Sequence, residues 1–198
     1  MVQAYHAIFT AYGFWLPNDP RGSWSEFVAA WELVLAGGTA TTTGTRRSVA
    51  GVAHDREARL AAKRALKFQP VTFTGIQARA VARGFEKAIG QSGYVVHACS
   101  ILPEHVHMVV ARHAFDIEQI VGHFKGNATH ALIAENLHPL CAYRTKAGAA
   151  PTPWAENCWK VFLNEPEDIA RAIAYVERNP MKEGKRPQRW SFVEPTNV

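Results

Sequence analysis

Cysteine is scarce: the 198 residues hold three, at Cys99, Cys141 and Cys158. An odd number without a C-x-x-C pair argues against a disulfide framework or a zinc knuckle and predicts reduced thiols. No apolar run approaches the roughly 20 residues that a membrane-spanning helix requires. The N-terminus has no basic stretch ahead of an apolar core, so no signal peptide is expected and the chain is read as cytoplasmic. There is no internal repeat and no coiled-coil heptad run. The zinc signature H-E-x-x-H is missing, and so is the aromatic sheet motif of RNA-binding ferredoxin-like domains. Acidic residues are in deficit, 17 against 22 Lys and Arg, for a net charge of +5. That balance suits a polyanionic partner such as nucleic acid, although many basic proteins bind none. The 47% hydrophobic content is enough for a sizeable core in one domain, or in one domain with a large insertion.

What the chain does have is Ile101-Leu102-Pro103-Glu104-His105-Val106-His107-Met108-Val109-Val110. Successive side chains of a strand point to opposite faces, so His105 and His107 share one face, about 6.5–7 Å apart along the chain. Val106, Met108 and Val110 point into a core. Histidine is the commonest metal ligand, and two imidazoles on a rigid sheet make a ready ligand pair. Alone, an H-x-H run is a weak signal and reads better as a half-buried strand that holds two histidines.

Around it, aromatic and β-branched residues predict a first strand over Gln3–Tyr12, ended by Gly13 and Pro17. Residues 15–70 break the pattern and read as an insertion. Trp15, Trp24 and Trp31 are scattered there, a helix is expected over Ser25–Leu35, and the Gly/Thr-rich stretch Gly37–Thr45 is expected to be an exposed loop. A basic helix is expected over Asp55–Lys67, whose Arg56, Arg59, Lys63, Arg64 and Lys67 suit phosphates or a solvated face. Thr74 and Gln77 fit a capping box opening a helix to Gln91, with Ala78, Val81, Ala82, Phe85, Ala88 and Ile89 as its buried stripe. Tyr94–Ile101 predicts a second strand, joined by Leu102-Pro103-Glu104 to the His-bearing strand as an antiparallel hairpin at the middle of the sheet. Asp116 caps a helix to about Asn136, with Lys125 at the edge of its apolar stripe, placed to snorkel or to reach toward the sheet. Residues 138–156 read as loop and Cys158–Leu163 as a last strand.

A final helix is expected over Pro166–Arg178, with Ile169, Ala172, Ile173 and Val176 inward and Pro180 as its stop. Tyr175 and Asn179, four residues apart, share one border of that stripe. The tail from 181 to 198, with Lys182, Lys185, Arg186, Arg189 and Trp190, offers cations and a stacking surface suited to nucleic acid, or simply a basic surface. The order strand–helix–strand–strand–helix–strand–helix predicts an α+β fold: a ferredoxin-like antiparallel sheet with helices packed on it.

The His-x-His strand resembles the HUH motif of endonucleases. Ala174-Tyr175-Val176-Glu177-Arg178-Asn179-Pro180 resembles the tyrosine helix of single-tyrosine HUH transposases, and Met181-Lys182-Glu183-Gly184 with Arg189-Trp190-Ser191 resembles their tail. The chain is similar to the REP-associated tyrosine transposases and their insertion-sequence relatives over about 1–14 and 71–192. The resemblance implies a single HUH domain over 1–198, with the segment near 15–70 as an N-terminal insertion. It implies Tyr175 as nucleophile and His105, His107 and Asn179 as ligands of Mg²⁺ or Mn²⁺, of which the imidazoles favour Mn²⁺. The implied substrate is single-stranded DNA bearing a hairpin, cut and rejoined through a 5′-phosphotyrosine. Lys125, Arg178, Lys182, Lys185, Arg186 and Arg189 are the residues expected to touch DNA. Monomer and homodimer both remain open.

Other residues read more plainly. Glu104 suits the turn, though it could orient a ligand. His97 reads as structural, and His6 as a core histidine that could lie near the site. His113, His123 and His130 lack a matched partner. Three other functions are weighed: a non-catalytic, domesticated hairpin- or repeat-binding protein, a zinc hydrolase, and an RNA-binding domain. Zinc hydrolases commonly have three strong protein ligands.

Overall fold

Alternation of apolar and polar residues builds four strands, and each finds its partner as backbone donors and acceptors are satisfied across the sheet. The computed structural model describes residues 1–16, 35–36 and 55–196. The expected helix over Ser25–Leu35, except Leu35 itself, and the loop at Gly37–Thr45 lie outside them. The strands are β1 (Ala4–Ala11), β2 (Val96–Ile101), β3 (His105–Ala111) and β4 (Trp154–Leu163). The helices are α1 (Arg56–Arg64), α2 (Gly75–Ser92), α3 (Ile117–Ala134) and α4 (Pro166–Lys182). The sheet runs β2-β3-β1-β4 with antiparallel neighbours throughout, an α+β arrangement of the expected ferredoxin-like type. None of the described helices is long and apolar enough to cross a membrane.

Local signals set the helix ends. Asp55 caps α1 by accepting from the Ala58 N–H at 3.0 Å. Thr74 and Gln77 form the reciprocal capping box at α2, and Gly93 closes that helix in the left-handed conformation (φ 69°) with its N–H on the Ile89 carbonyl. The Asp116 N–H donates to Gln119 at the start of α3.

Helices α2 and α3 pack against each other and seal one face of the sheet. Phe9, Val106, Met108 and Val110 from the strands meet Val81, Phe85, Ile120, Val121 and Phe124 from the helices in one buried cluster. The two helices touch closely at Gly84: a Cβ there would lie 2.4 Å from the Ala128 Cα, which is room for hydrogen only. Arg83 and Glu135 pair at the rim of this contact.

Helix α4 lies on the opposite face. Ile169, Ala172 and Val176 pack on Ala4, Ala98, Val109 and Leu163. This smaller cluster anchors the first part of the helix and carries its last two turns over the polar end of the sheet.

Three expectations are corrected. The hairpin does not sit at mid-sheet: β3 is interior, but β2 is an edge strand, because β1 returns to pair with the other side of β3. The last strand starts at Trp154, not Cys158, and pairs with Ala11 across an irregularity in β1–β4. Its extra carbonyls, those of Ala155, Glu156 and Asn157, are satisfied by the Lys125 ammonium at 2.8–3.0 Å. Finally, Pro180 does not stop the last helix, which continues to Lys182. Proline removes one helical N–H and disfavours the preceding residue's helical geometry, but Asn179 and Pro180 are both buried here. Packing outweighs the local preference, and the chain turns off only at Gly184 (φ 68°).

Candidate active site

The site occupies the sheet face beneath the end of α4. In the β1–β3 register, Ile8 faces His107 and Thr10 faces His105, so His6, Ile8, Thr10, His105 and His107 share one face. Ser100 of β2 lies opposite His107 on that face. His6, Thr10, Ser100, His105, His107 and, from α4, Asn179 are all buried, so a polar floor lies where the other face of the same strands is apolar. The two histidines point the same way, as their spacing predicts, with ring centroids 4.9 Å apart.

Each imidazole has its own support. Phe14 stacks flat on His105, with centroids 5.4 Å apart and planes within 6°. His6 lies beside His107, its Nε2 3.1 Å from the His107 Nδ1. Burial, with smaller contributions from neighbouring imidazoles and Lys182, holds His107 well below the usual histidine value, and burial lowers His6 to about 4. Both rings are therefore neutral at pH 7, the form in which imidazole offers a lone pair.

From above, Tyr175 completes a triangle of rings, its centroid 5.5 Å from His107 and 5.7 Å from His6. The residue is 42% exposed. Burial, and after it the Glu183 carboxylate, pushes its pKa above the ordinary value near 10. The phenol is protonated at neutral pH and must be activated to attack. Asn179, one turn on, is 6% exposed, and its Nδ2 has no hydrogen-bond partner among the described residues.

The extension of α4 past Pro180 brings two more groups to the site. Lys182, seven residues after Tyr175, lies over the phenol ring with its Nζ 4.2 Å from the centroid. Glu183 places Oε1 3.6 Å from the His105 Nε2.

The expected site residues separate into three groups. His105, His107 and Tyr175 come together, and Asn179 is buried on the same helix. Lys182 joins them. Arg178, Lys185, Arg186 and Arg189 are exposed, as DNA-contacting cations would need to be. Lys125 differs from the others: all three of its donors go to backbone carbonyls at the start of β4, and burial lowers it to about 8. Its Nζ also lies over Phe9, a residue of the sealed face. The tail is not simply loose. Gln188 bonds both the N–H and the carbonyl of Ile101, at 2.7 and 2.8 Å, as a short strand would. Trp190 and Phe192 stack on each other and join the main core.

In the sequence His6 reads as a core histidine that could lie near the site, and Phe14, Ser100 and Glu183 carry no role there. The Met181–Gly184 run offered a signal for Glu183, but Pro180 hid it by implying that the helix had ended.

Among the described residues, no three His, Cys, Asp or Glu side chains converge as a closed metal centre. The donor set is open: two neutral imidazoles, a buried amide and a nearby carboxylate. Two adjacent ligands about 2.1 Å from one octahedral ion stand roughly 3 Å apart, so the 3.6 Å gap between His105 and Glu183 needs only a small movement. Mixed nitrogen and oxygen donors with open positions fit a divalent cation of the Mn²⁺ or Mg²⁺ kind.

Compared with known proteins, the chain matches no family model and no curated protein. Among solved structures it is similar to a REP-associated tyrosine transposase bound to a REP hairpin, at TM-score 0.47 and 12% identity, over 92% of this chain and 68% of that one.

Proposed function

We propose that the protein is an HUH-type nuclease: a metal-dependent enzyme that breaks a DNA phosphodiester with a tyrosine. More narrowly, we infer a single-tyrosine DNA transposase, or a domesticated relative, of the REP-associated kind. One observation carries this reading: the helix phenol of Tyr175 is held against His107 on the polar face of an HUH-like strand pair, 5.5 Å between centroids.

In this reading His105, His107 and Asn179 hold the cation, with Glu183 within reach. A bound divalent ion supplies charge neutralisation at a non-bridging phosphate oxygen. The phenolic oxygen of Tyr175 attacks phosphorus as its proton departs, and a P–O bond to Tyr175 forms as the P–O3′ bond breaks. The 3′ oxygen takes up a proton and leaves as a hydroxyl. The 5′ side stays on the protein as a phosphotyrosine, whose bond energy allows a 3′-OH to displace Tyr175 later and rejoin the strand. Lys182 sits where it can accompany the phosphate and the phenolate charge. Arg178, Lys185, Arg186 and Arg189 give the cations that a single-stranded substrate requires around the cut. Hairpin-bearing single-stranded DNA is the proposed substrate.

The test is a denaturing gel of the protein with labelled hairpin-bearing single strands, with Mn²⁺ or EDTA, beside Tyr175→Phe. A metal-dependent, protease-sensitive adduct that is lost in Tyr175→Phe is the expected result. Cleavage that yields a free 5′-phosphate and survives Tyr175→Phe would establish a water nucleophile and sink the tyrosine mechanism. Tight hairpin binding without a cut in either protein would favour the non-catalytic, repeat-binding alternative.

A further inference from the structure

The buried histidine of the first strand has a definite place in this site. His6 and His107 are 101 residues apart in the chain, yet their Nε2 and Nδ1 atoms stand 3.1 Å apart, at hydrogen-bond distance. They sit on β1 and β3, the two interior strands of the sheet, in a register that places His6 diagonally from His107. Diagonal neighbours of an antiparallel pair are within reach of aromatic side chains. Neither ring can move far: both are buried, and the Tyr175 ring lies against both of them.

Two neutral imidazoles at this distance share one proton, and its position decides what His107 can do. If His6 Nε2–H donates to the His107 Nδ1, the remaining proton of His107 is on Nε2, which then has no lone pair for a cation. If His107 Nδ1–H donates to the His6 Nε2, the His107 Nε2 lone pair is available. Metal-bound histidines almost always donate their other ring N–H to an acceptor that fixes the tautomer. The group placed to accept here is an imidazole.

We infer that His6 is a positioning residue: it accepts the Nδ1 proton of His107 and so holds His107 in the tautomer whose Nε2 can bind a cation. The inference rests on the cation site proposed above, but the hydrogen bond can be read without any metal.

The experiment uses the full chain labelled with ¹⁵N-histidine. Long-range ¹⁵N–¹H correlation spectra of the metal-free protein report the tautomer, with His6→Phe and His107→Asn assigning the signals. Mn²⁺ affinity is then measured by calorimetry for wild type, His6→Phe and His6→Gln. The expected result is a His107 protonated on Nδ1 in wild type. In His6→Phe, that preference is lost and Mn²⁺ affinity falls by about 10–100-fold, the usual effect of removing such a partner. His6→Gln, whose side-chain carbonyl can accept the same proton, should recover most of the affinity. A wild-type His107 protonated on Nε2 overturns the inference. So does an unchanged tautomer and affinity in a folded His6→Phe. If His6→Phe does not fold, the wild-type tautomer and the His6→Gln comparison still decide. Should wild type bind no Mn²⁺ while its His107 is protonated on Nδ1, the hydrogen bond stands and the proposed cation site falls.

Discussion

The same strands present two unlike faces. Toward α2 and α3 they offer Ala7, Phe9, Val106, Met108 and Val110, all at most 1% exposed. Toward α4, one residue along in each strand, they offer His6, Thr10, His105 and His107. The first face gains by excluding water from apolar surface, roughly 25 cal/mol per Å² removed. The second buries polar groups, which costs free energy unless each finds a partner, and it keeps Ser100 and Asn179 with unpartnered atoms among the described residues. The helix pair secures the sheet, and the sheet can then carry a polar second face.

Substitutions should separate the two faces. The largest loss of stability is expected for Phe85→Ala, whose ring meets Phe9 and Phe124 on the sealed face. Truncating a buried Phe costs about 3–5 kcal/mol, to be read from chemical denaturation. Acid should act on the other face. His6 titrates near 4 when folded and near 6.5 in its ordinary state, so between those values the unfolded chain binds a proton that the folded chain does not. Stability is then full above about pH 6.5 and falls as the pH drops toward 4, by up to about 3 kcal/mol from this group. His107 contributes in the same direction. Metal-free urea melts at pH 7 and 4.5 should show the loss, and His6→Phe should flatten it. If the pH dependence is unchanged in that variant, the buried neutral His6 is the wrong explanation.

Gly84→Ala tests the helix pair itself. Its Cβ would meet backbone atoms of Ala128 and Asn127 within 2.6 Å, so α2 and α3 must separate. Overpacking of this kind costs about 1–3 kcal/mol. A melting temperature equal to wild type would show that the pair can slide at no cost.

Two lysines sharpen the contrast further. Lys125→Met should destabilise by about 1–3 kcal/mol, because it strands the β4 carbonyls that Lys125 now satisfies, and should leave the salt dependence of DNA binding unchanged. Lys182→Met should barely affect stability, yet weaken binding of single strands and reduce the salt slope by about 0.7, the share of one phosphate contact. Equal effects on both measurements would erase the distinction. The smallest effect is expected for Tyr175→Phe, within about 0.5 kcal/mol of wild type because the residue is partly solvent-exposed and the ring is kept. That keeps it a clean probe of the chemistry.

Much of this was legible in the chain. Period-two alternation placed His105 and His107 on one face and Val106, Met108 and Val110 on the other, since the pleat is a local property. Helical spacing placed Tyr175 and Asn179 together, and Thr74 and Asp116 announced their helices. The errors fell where a local preference met a tertiary demand. Pro180 reads as a stop, but its burial with Asn179 keeps the helix going and delivers Lys182 to the site. Lys125, at the edge of its helix's apolar stripe, could snorkel or reach toward the sheet, and only the start of β4 shows that it reaches three carbonyls there.

The sequence alone, then, sets which residues share a face and where most helices begin. Each of those follows from backbone geometry over a few residues. Only the tertiary structure decided which faces meet. The pairing of His6 with His107, the stacking of Phe14 on His105 and the approach of Glu183 all depend on strand order and helix docking. Those are set by burying apolar surface across the whole chain, a sum that no short stretch of sequence contains.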